Sequence, residues 1–228
     1  MRKTLLAGVL AILVAGPVAA QEVQPVVHDG SRSINFTFDG LGSFGLAGTG
    51  VNGGLGMSFF RSRDRAIRLG LQMGYDRSTS PWNGVGAGSD GLSTSWRLGV
   101  GADLLRYKDA MSGRVRPYIG VGVSIATASS DQKPAVSDNA PDGTLIETKN
   151  SNANDGLTIG TRGILGAEFF IFPEVSISAE YTLNLVSYTR RADMGTSYKN
   201  LPEVTTKRGS ALTVLGFGAG GAMVHIYF

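Results

Sequence analysis

The chain has 228 residues, 42% of them hydrophobic and only 17% charged, with a formal charge of +3. Cysteine is absent, which excludes disulfides and thiolate metal sites, and a charge this close to neutral gives no electrostatic case for nucleic acid. Glycine, at 33 residues, is about twice its ordinary share, which argues against helices and for strands that bend or pack closely.

Residues 1–20 read as a cleaved signal peptide. Arg2 and Lys3 form a positive start, Leu5 to Val14 is an apolar run too short to cross a bilayer as a helix, and Val18-Ala19-Ala20 supplies small residues before Gln21. Its loss takes the formal charge to +1 and leaves about 208 residues, enough for one domain. Residues 21–33 are polar and read as a periplasmic lead-in, and residues 34–228 as the folded domain.

That domain alternates with a period of two. Ile34, Phe36 and Phe38 interleave with Asn35, Thr37 and Asp39, and the parity runs on to Phe44 and Leu46. Leu55, Met57 and Phe59 make a second strand, marginal in length. Ile67 to Tyr75 make a third, opposed by Arg68, Gln72 and Asp76. The fourth sets Trp96, Leu98, Val100, Ala102 and Leu104 against Arg97 and Asp103. The fifth, from Arg116 to Ala126, alternates Ile119, Val121, Val123 and Ile125 with Tyr118, Gly120, Gly122 and Ser124. A polar interruption from Ser130 to Gly156 precedes the sixth, where Leu165, Ala167 and Phe169 oppose Arg162 and Glu168. The seventh sets Val175, Ile177, Ala179, Tyr181, Leu183 and Leu185 against Ser176, Ser178 and Glu180. In the eighth every second residue from Leu212 to Phe228 is apolar or Gly.

Even-numbered connections are short and odd-numbered ones mostly long. With eight strands, that is the pattern of a transmembrane barrel. The expectation is an all-β, eight-stranded antiparallel up-and-down transmembrane β-barrel. The first and last strands must pair, because an unpaired edge in hydrocarbon strands its backbone groups.

The charges settle which face meets lipid. Asp39, Arg68, Asp76, Arg97, Asp103, Arg162, Glu168 and Glu180 all lie opposite the apolar stripe. An Arg facing lipid near the midplane costs about 2–4 kcal/mol. These residues should therefore face the lumen as a structural ion-pair network. Eight strands enclose a space that side chains can just fill. Phe36, Phe59, Tyr75, Trp96, Phe169, Tyr181 and Phe228 are placed for interfacial girdles.

At RPYIGVGVS (Arg116 to Ser124) and GAEFFIFPEVSISAEYTL (Gly166 to Leu183) the chain resembles the small outer-membrane β-barrels: the OmpA-type transmembrane domain, OmpX-like proteins and the porin-family barrel domain. The resemblance covers the mature chain and implies the bacterial outer membrane. It also implies that the final strand, through Ala222, Val224, Ile226 and Phe228, is the signal read by the barrel assembly machinery. No peptidoglycan-binding domain follows the barrel, so a cell-wall tether is not expected.

Catalytic chemistry finds little support. Of the two histidines, His28 lies in the lead-in and His225 on the lumen parity of the last strand. No two-His metal spacing or calcium-loop spacing occurs. No catalytic residue, cofactor or metal is expected. The external loops remain as the place for function. Arg190, Arg191, Lys199, Lys207 and Arg208 form a candidate lipopolysaccharide-contacting set, and the acidic loop from Asp131 to Asp155 could instead dock against them. The expectation is a monomeric envelope barrel with a structural or surface-interaction role. A narrow ion or small-solute channel is the alternative, and a lipid A-modifying barrel enzyme the second.

Overall fold

The structure, a computed structural model, describes residues 25–39, 51–84, 86–108, 114–152 and 155–228. Of residues 38, 39, 51, 52 and 217–219 only the backbone is described, and the proposed signal peptide lies outside the described residues. The strands in chain order are β1 (Arg32–Asp39), β2 (Val51–Ser62), β3 (Arg65–Ser80), β4 (Gly88–Ser89), β5 (Gly91–Tyr107), β6 (Val115–Lys133) and β7 (Val136–Ser137). There follow β8 (Leu145–Lys149), β9 (Gly156–Phe172), β10 (Val175–Arg191), β11 (Met194–Tyr198), β12 (Val204–Thr206) and β13 (Ser210–Tyr227).

Eight of these close a ring. β1 pairs with β2, β2 with β3, β3 with β5, β5 with β6, β6 with β9, β9 with β10, β10 with β13, and β13 with β1, all antiparallel. The ring leaves no open edge at its waist, as a sheet in hydrocarbon requires. The period-two patterning fixes the register: a one-residue slip would turn Arg68 and Asp103 to the outside and Leu69 and Ala102 to the inside. Leu69, Val100 and Leu165 are 49%, 51% and 62% exposed on the outer face, whereas Arg68 and Asp103 are buried on the inner one.

Several boundaries differ from the expectation. The second strand is not marginal, since β2 has 12 residues. β1 is described only to Asp39, and the continuation to Leu46 lies outside the described residues. β6 runs on to Lys133, well past Ala126, because Leu92 to Leu98 give it partners the whole way. The polar interruption after it contains β7 and β8.

The inside–outside alternation of the last strand is also interrupted. The pairing of β10 with β13 shifts between Thr182 and Asn184, with one extra residue on β13 between Ala219 and Gly216. The extra residue turns Gly216 to the inner face, and a second irregularity, at Leu215 with φ of +52° beside the β10–β9 shift between Asn184 and Val186, returns Val214 and Leu212 to the outer one, 61% and 67% exposed. Gly216 therefore leaves the outer row in which alternation places it. It faces Asn184, whose side-chain nitrogen would lie 3.1 Å from a Cβ at that position.

The lead-in is not a free polar segment. Val27 is 5% exposed and packs into a cluster with Phe60, Leu105, Tyr107, Tyr118, Ile164, Phe170 and Tyr227 inside the short-turn end of the ring. Val26 N–H donates to the Pro173 carbonyl and Gly30 N–H to that of Phe60, so residues 26–30 lie across this end between two turns. In the β2–β3 turn the Ser62 hydroxyl donates to Asp64 at 2.6 Å and holds that carboxyl below its usual range.

Closure ends on a reciprocal pair, Arg32 N–H to the Phe228 carbonyl at 3.1 Å and Phe228 N–H to that of Arg32 at 3.0 Å. Deleting Phe228 removes both bonds and an outward aromatic. The expected outcome is a smaller membrane-inserted, protease-resistant fraction; full insertion of the truncated chain would deny that pair any part in closure.

Candidate functional site

The lumen is filled in layers. Across its middle, Arg68 on β3 donates to Asp103 from Nε at 2.8 Å. It also donates to Glu180 on β10 from Nη1 at 2.7 Å and from Nη2 at 3.0 Å. Arg162 on β9 grips the same Asp103 through Nε at 2.9 Å and Nη2 at 3.0 Å. The Tyr118 hydroxyl donates to Glu180 at 3.0 Å. Two guanidinium and two carboxylate groups thus tie β3, β5, β9 and β10 together across the ring. Arg supplies a planar fork for each carboxylate, which Lys could not. Gly122 makes room for Asp103, since a Cβ there would collide with its Oδ1.

Nearer the short-turn end lies an uncharged chain. Ser178 Oγ is 2.7 Å from His225 Nε2, and His225 Nδ1 is 2.8 Å from Asn35 Oδ1. Asn35 in turn donates to Ser58 at 2.7 Å and accepts from Ser33 at 2.8 Å. With the Asn35 oxygen toward the ring, the proton sits on Nδ1 and the lone pair on Nε2. The resulting order, hydroxyl to imidazole to amide, is that of a hydrolytic triad. All three side chains are about 1% exposed, however, so no substrate atom reaches Ser178.

Glu168 belongs to neither chain. It accepts from the Tyr227 hydroxyl at 2.5 Å and from the Ser176 hydroxyl on the same oxygen, while Oε2 is buried without a partner. Below it the aromatic cluster completes the plug, with Phe60–Tyr107, Tyr107–Tyr118 and Phe170–Tyr227 ring centroids 5.4, 5.0 and 5.5 Å apart. On the long-loop side of the ion pairs a cavity of about 120 Å³ is walled by Gly70, Gly99, Gly101, Gln72 and Ser124. Arg68, Arg162, Asp103 and Glu180 also line it, together with Asn35 and Met223.

Of the eight residues expected to pair in the lumen, the structure brings four together: Arg68, Asp103, Arg162 and Glu180. Glu168 is inward and fully buried but meets hydroxyls, not a cation. Asp76 and Arg97 have inward register in the long-loop half, where Arg97 is exposed and, among the described residues, neither makes an ion pair. The side chain of Asp39 lies outside the described residues. Tyr118, Asn35, Ser58 and Ser178 were not anticipated as partners, although each shares the parity of the charges. Among the described residues no group of three or more His, Asp or Glu is placed to hold a metal.

The long loops dock on one another. β8 pairs with both β6 and β11, β11 pairs with β12, and β4 pairs with β7. Arg208 Nη1 donates to the Asn152 carbonyl at 2.7 Å, and Lys199 Nζ donates to those of Ala140 and Asp138 at 2.7 and 3.1 Å. Lys149–Glu203 at 3.5 Å and Lys133–Glu147 at 3.3 Å are partly exposed pairs and add little each. Of the candidate lipopolysaccharide set, Lys199 and Arg208 are therefore occupied within the loops. Arg191 has its Nε buried, and Arg190 and Lys207 are exposed. In the final strand Ile226 and Phe228 face outward at 44% and 61% exposure, with Ala222 and Val224 half-buried on the same row.

The sequence profile of the outer membrane protein β-barrel domain family matches residues 4–206. Among solved structures the fold is similar to Neisserial surface protein A, at 16% identity over 87% of this chain and 94% of that one, with a TM-score of 0.42. It is similar also to the outer membrane protein OprG of Pseudomonas aeruginosa, at 12% identity, 91% and 98% coverage and a TM-score of 0.47. For Ail, the attachment invasion locus protein of Yersinia pestis, the values are 12%, 88%, 99% and 0.39. No curated protein sequence matches the chain.

Replacing Arg68 with Ala leaves the buried Glu180 carboxylate without a cation, and chemical unfolding in lipid should show a loss of about 3–5 kcal/mol. Gly122→Ala keeps every charge but presses on Asp103. It should cost about 1–3 kcal/mol, the range for overpacking a filled interior.

Proposed function

The chain belongs to the outer membrane protein β-barrel domain family, and from the way its lumen is filled we propose a non-enzymatic, non-conducting envelope barrel that acts at the cell surface through its interlocked loops. The observation that carries this reading is the layer formed by Arg68, Asp103, Arg162 and Glu180. It crosses the lumen from one wall to the other, and an aromatic plug stands behind it.

Two other readings fit less well. A channel would need the 120 Å³ cavity to continue through the short-turn end, whereas that end is occupied by buried side chains, Phe60, Tyr107, Phe170 and Tyr227 among them. Planar-bilayer recording of the refolded protein is expected to show no steady conductance; steady openings in the unmodified chain would favour the channel. A hydrolytic or acyl-transfer enzyme would need Ser178 exposed to a carbonyl carbon, with donors for the developing oxyanion. Its burial argues against that. A fluorophosphonate probe should leave the protein unlabelled and lipid A unchanged in mass. Labelling abolished by Ser178→Ala would restore the enzyme.

The surface role rests on β8, β11 and β12, which extend the sheet beyond the ring and are held by the cross-loop bonds of Lys199, Arg208 and Asn150. On this reading the loops form a semi-rigid platform with exposed Arg190 and Lys207 on its flank. Those two cations are suited to the phosphates of neighbouring lipopolysaccharide. Charge reversal of both, Arg190→Glu with Lys207→Glu, should weaken lipopolysaccharide binding in a reconstituted bilayer. The same reversal at Lys199 and Arg208 should instead increase protease cleavage in residues 134–155 and 192–209. Unchanged lipopolysaccharide binding in the first variant removes that contact.

A further inference from the structure

Two buried atoms of opposite charge lack partners, and they belong to residues paired directly across β6 and β9. Arg116 stands opposite Glu168 in the ladder, yet Arg116 Nη1 and Glu168 Oε2 are both buried and unbonded. Directly opposed residues on one face have their Cβ atoms about 5 Å apart, well within the reach of an Arg and a Glu. What keeps them apart is competition for the guanidinium. Arg116 Nη2 donates to the Arg63 carbonyl in the β2–β3 turn. Its planar head also lies 4.7 Å from the Tyr107 ring centroid and 5.9 Å from that of Phe60. Glu168 meanwhile accepts from Ser176 and Tyr227 on one oxygen only. Each arrangement leaves something unsatisfied. With Arg116 at the turn, a buried carboxyl faces no cation; with Arg116 at Glu168, the turn carbonyl and the ring face lose theirs. Buried polar groups left half-satisfied are costly either way, so neither position excludes the other.

We propose that Arg116 is a two-position latch at the short-turn end of the barrel. In the position seen it clamps the β2–β3 turn, and in the second it pairs with Glu168 and frees that turn. The turn is coupled to the lead-in, because Phe60 accepts from Gly30 and packs in the same cluster as Val27. The second position therefore loosens residues 26–30 together with Arg61 to Arg65.

Hydrogen–deuterium exchange of the full chain in lipid bilayers tests this. Glu168→Gln removes the charge that draws Arg116 upward. It should slow exchange several-fold in the segments covering residues 61–65 and 26–30, even though it disturbs β9 and β10 locally. Tyr107→Leu removes the competing ring and should speed exchange in the same segments, and adding Glu168→Gln should reverse most of that gain. If Glu168 is only a structural hydrogen-bond acceptor, Glu168→Gln leaves the turn unchanged or faster and Tyr107→Leu is not rescued. Either result overturns the latch. Should Tyr107→Leu fail to insert, the Glu168→Gln arm alone decides.

Discussion

In hydrocarbon a backbone amide has no water to turn to, and the whole arrangement follows from that constraint. It forces the ring from β1 to β13 to close, with β1 and β13 meeting in register from Ser33–Tyr227 to Asp39–Gly221. Closure at eight strands then fixes a bore of side-chain width. Once the bore is that narrow, every inward residue must be small or matched to a partner. The sequence meets this with glycines facing the largest groups: Gly166 lies against the Tyr118 ring and Gly122 against Asp103. Glycine weakens a strand, and here that loss is accepted so that the charged and aromatic side chains can cross the axis.

The charged layer is held by geometry as much as by charge. Asp103 receives both arginines while Glu180 receives Arg68 and Tyr118, so each carboxylate has two donors and the four charges cancel. Pairs buried this deeply add little net stability over an apolar core, because taking the ions out of water offsets most of their attraction. Their contribution is to specify which strands face one another. Arg68 and Glu180 are 112 positions apart in the chain, and only a correctly closed ring lets them meet. This specification by ion pairs is our hypothesis for the layer.

What could be read in the sequence was whatever obeys a period of two. Strand number, the inward set and the outward aromatics all follow from alternation, and the family match agrees with the architecture it implies. What could not be read depends on distance across the bore. Parity says that Arg97 and Arg68 both point inward. It does not say that Arg97 lies in the open, long-loop half while Arg68 lies where opposite walls touch. The interruption around Gly216 escaped for a related reason, since a run of glycines and alanines carries no parity of its own. Val27 was hidden by its polar neighbours, and only the apolar floor beneath it explains its burial. The docking of the two long loops was legible as charge complementarity. In the structure most of it is β-pairing and side-chain bonds to backbone carbonyls, which composition cannot display.

The Ser178–His225–Asn35 chain shows why geometry among three residues does not make a site. The hydroxyl, ring and amide are aligned. A catalytic serine also needs a vacant position for a carbonyl carbon and donors aimed where the oxyanion would form. Here the space next to Ser178 is taken by Met223, its partner in the β10–β13 ladder, and by the neighbouring inward groups Glu168 and Glu180. The same alignment has a simpler physical cause. His225, Asn35 and Ser178 sit on three neighbouring strands, β13, β1 and β10, and are each about 1% exposed in the filled bore. Each must give its donors and acceptors to the others, and a linear chain of hydroxyl, imidazole and amide satisfies nearly all of them at once. A narrow, filled lumen lined with polar side chains tends toward such relays by hydrogen-bond accounting alone. In a barrel of this size, access is therefore a stronger sign of chemistry than alignment.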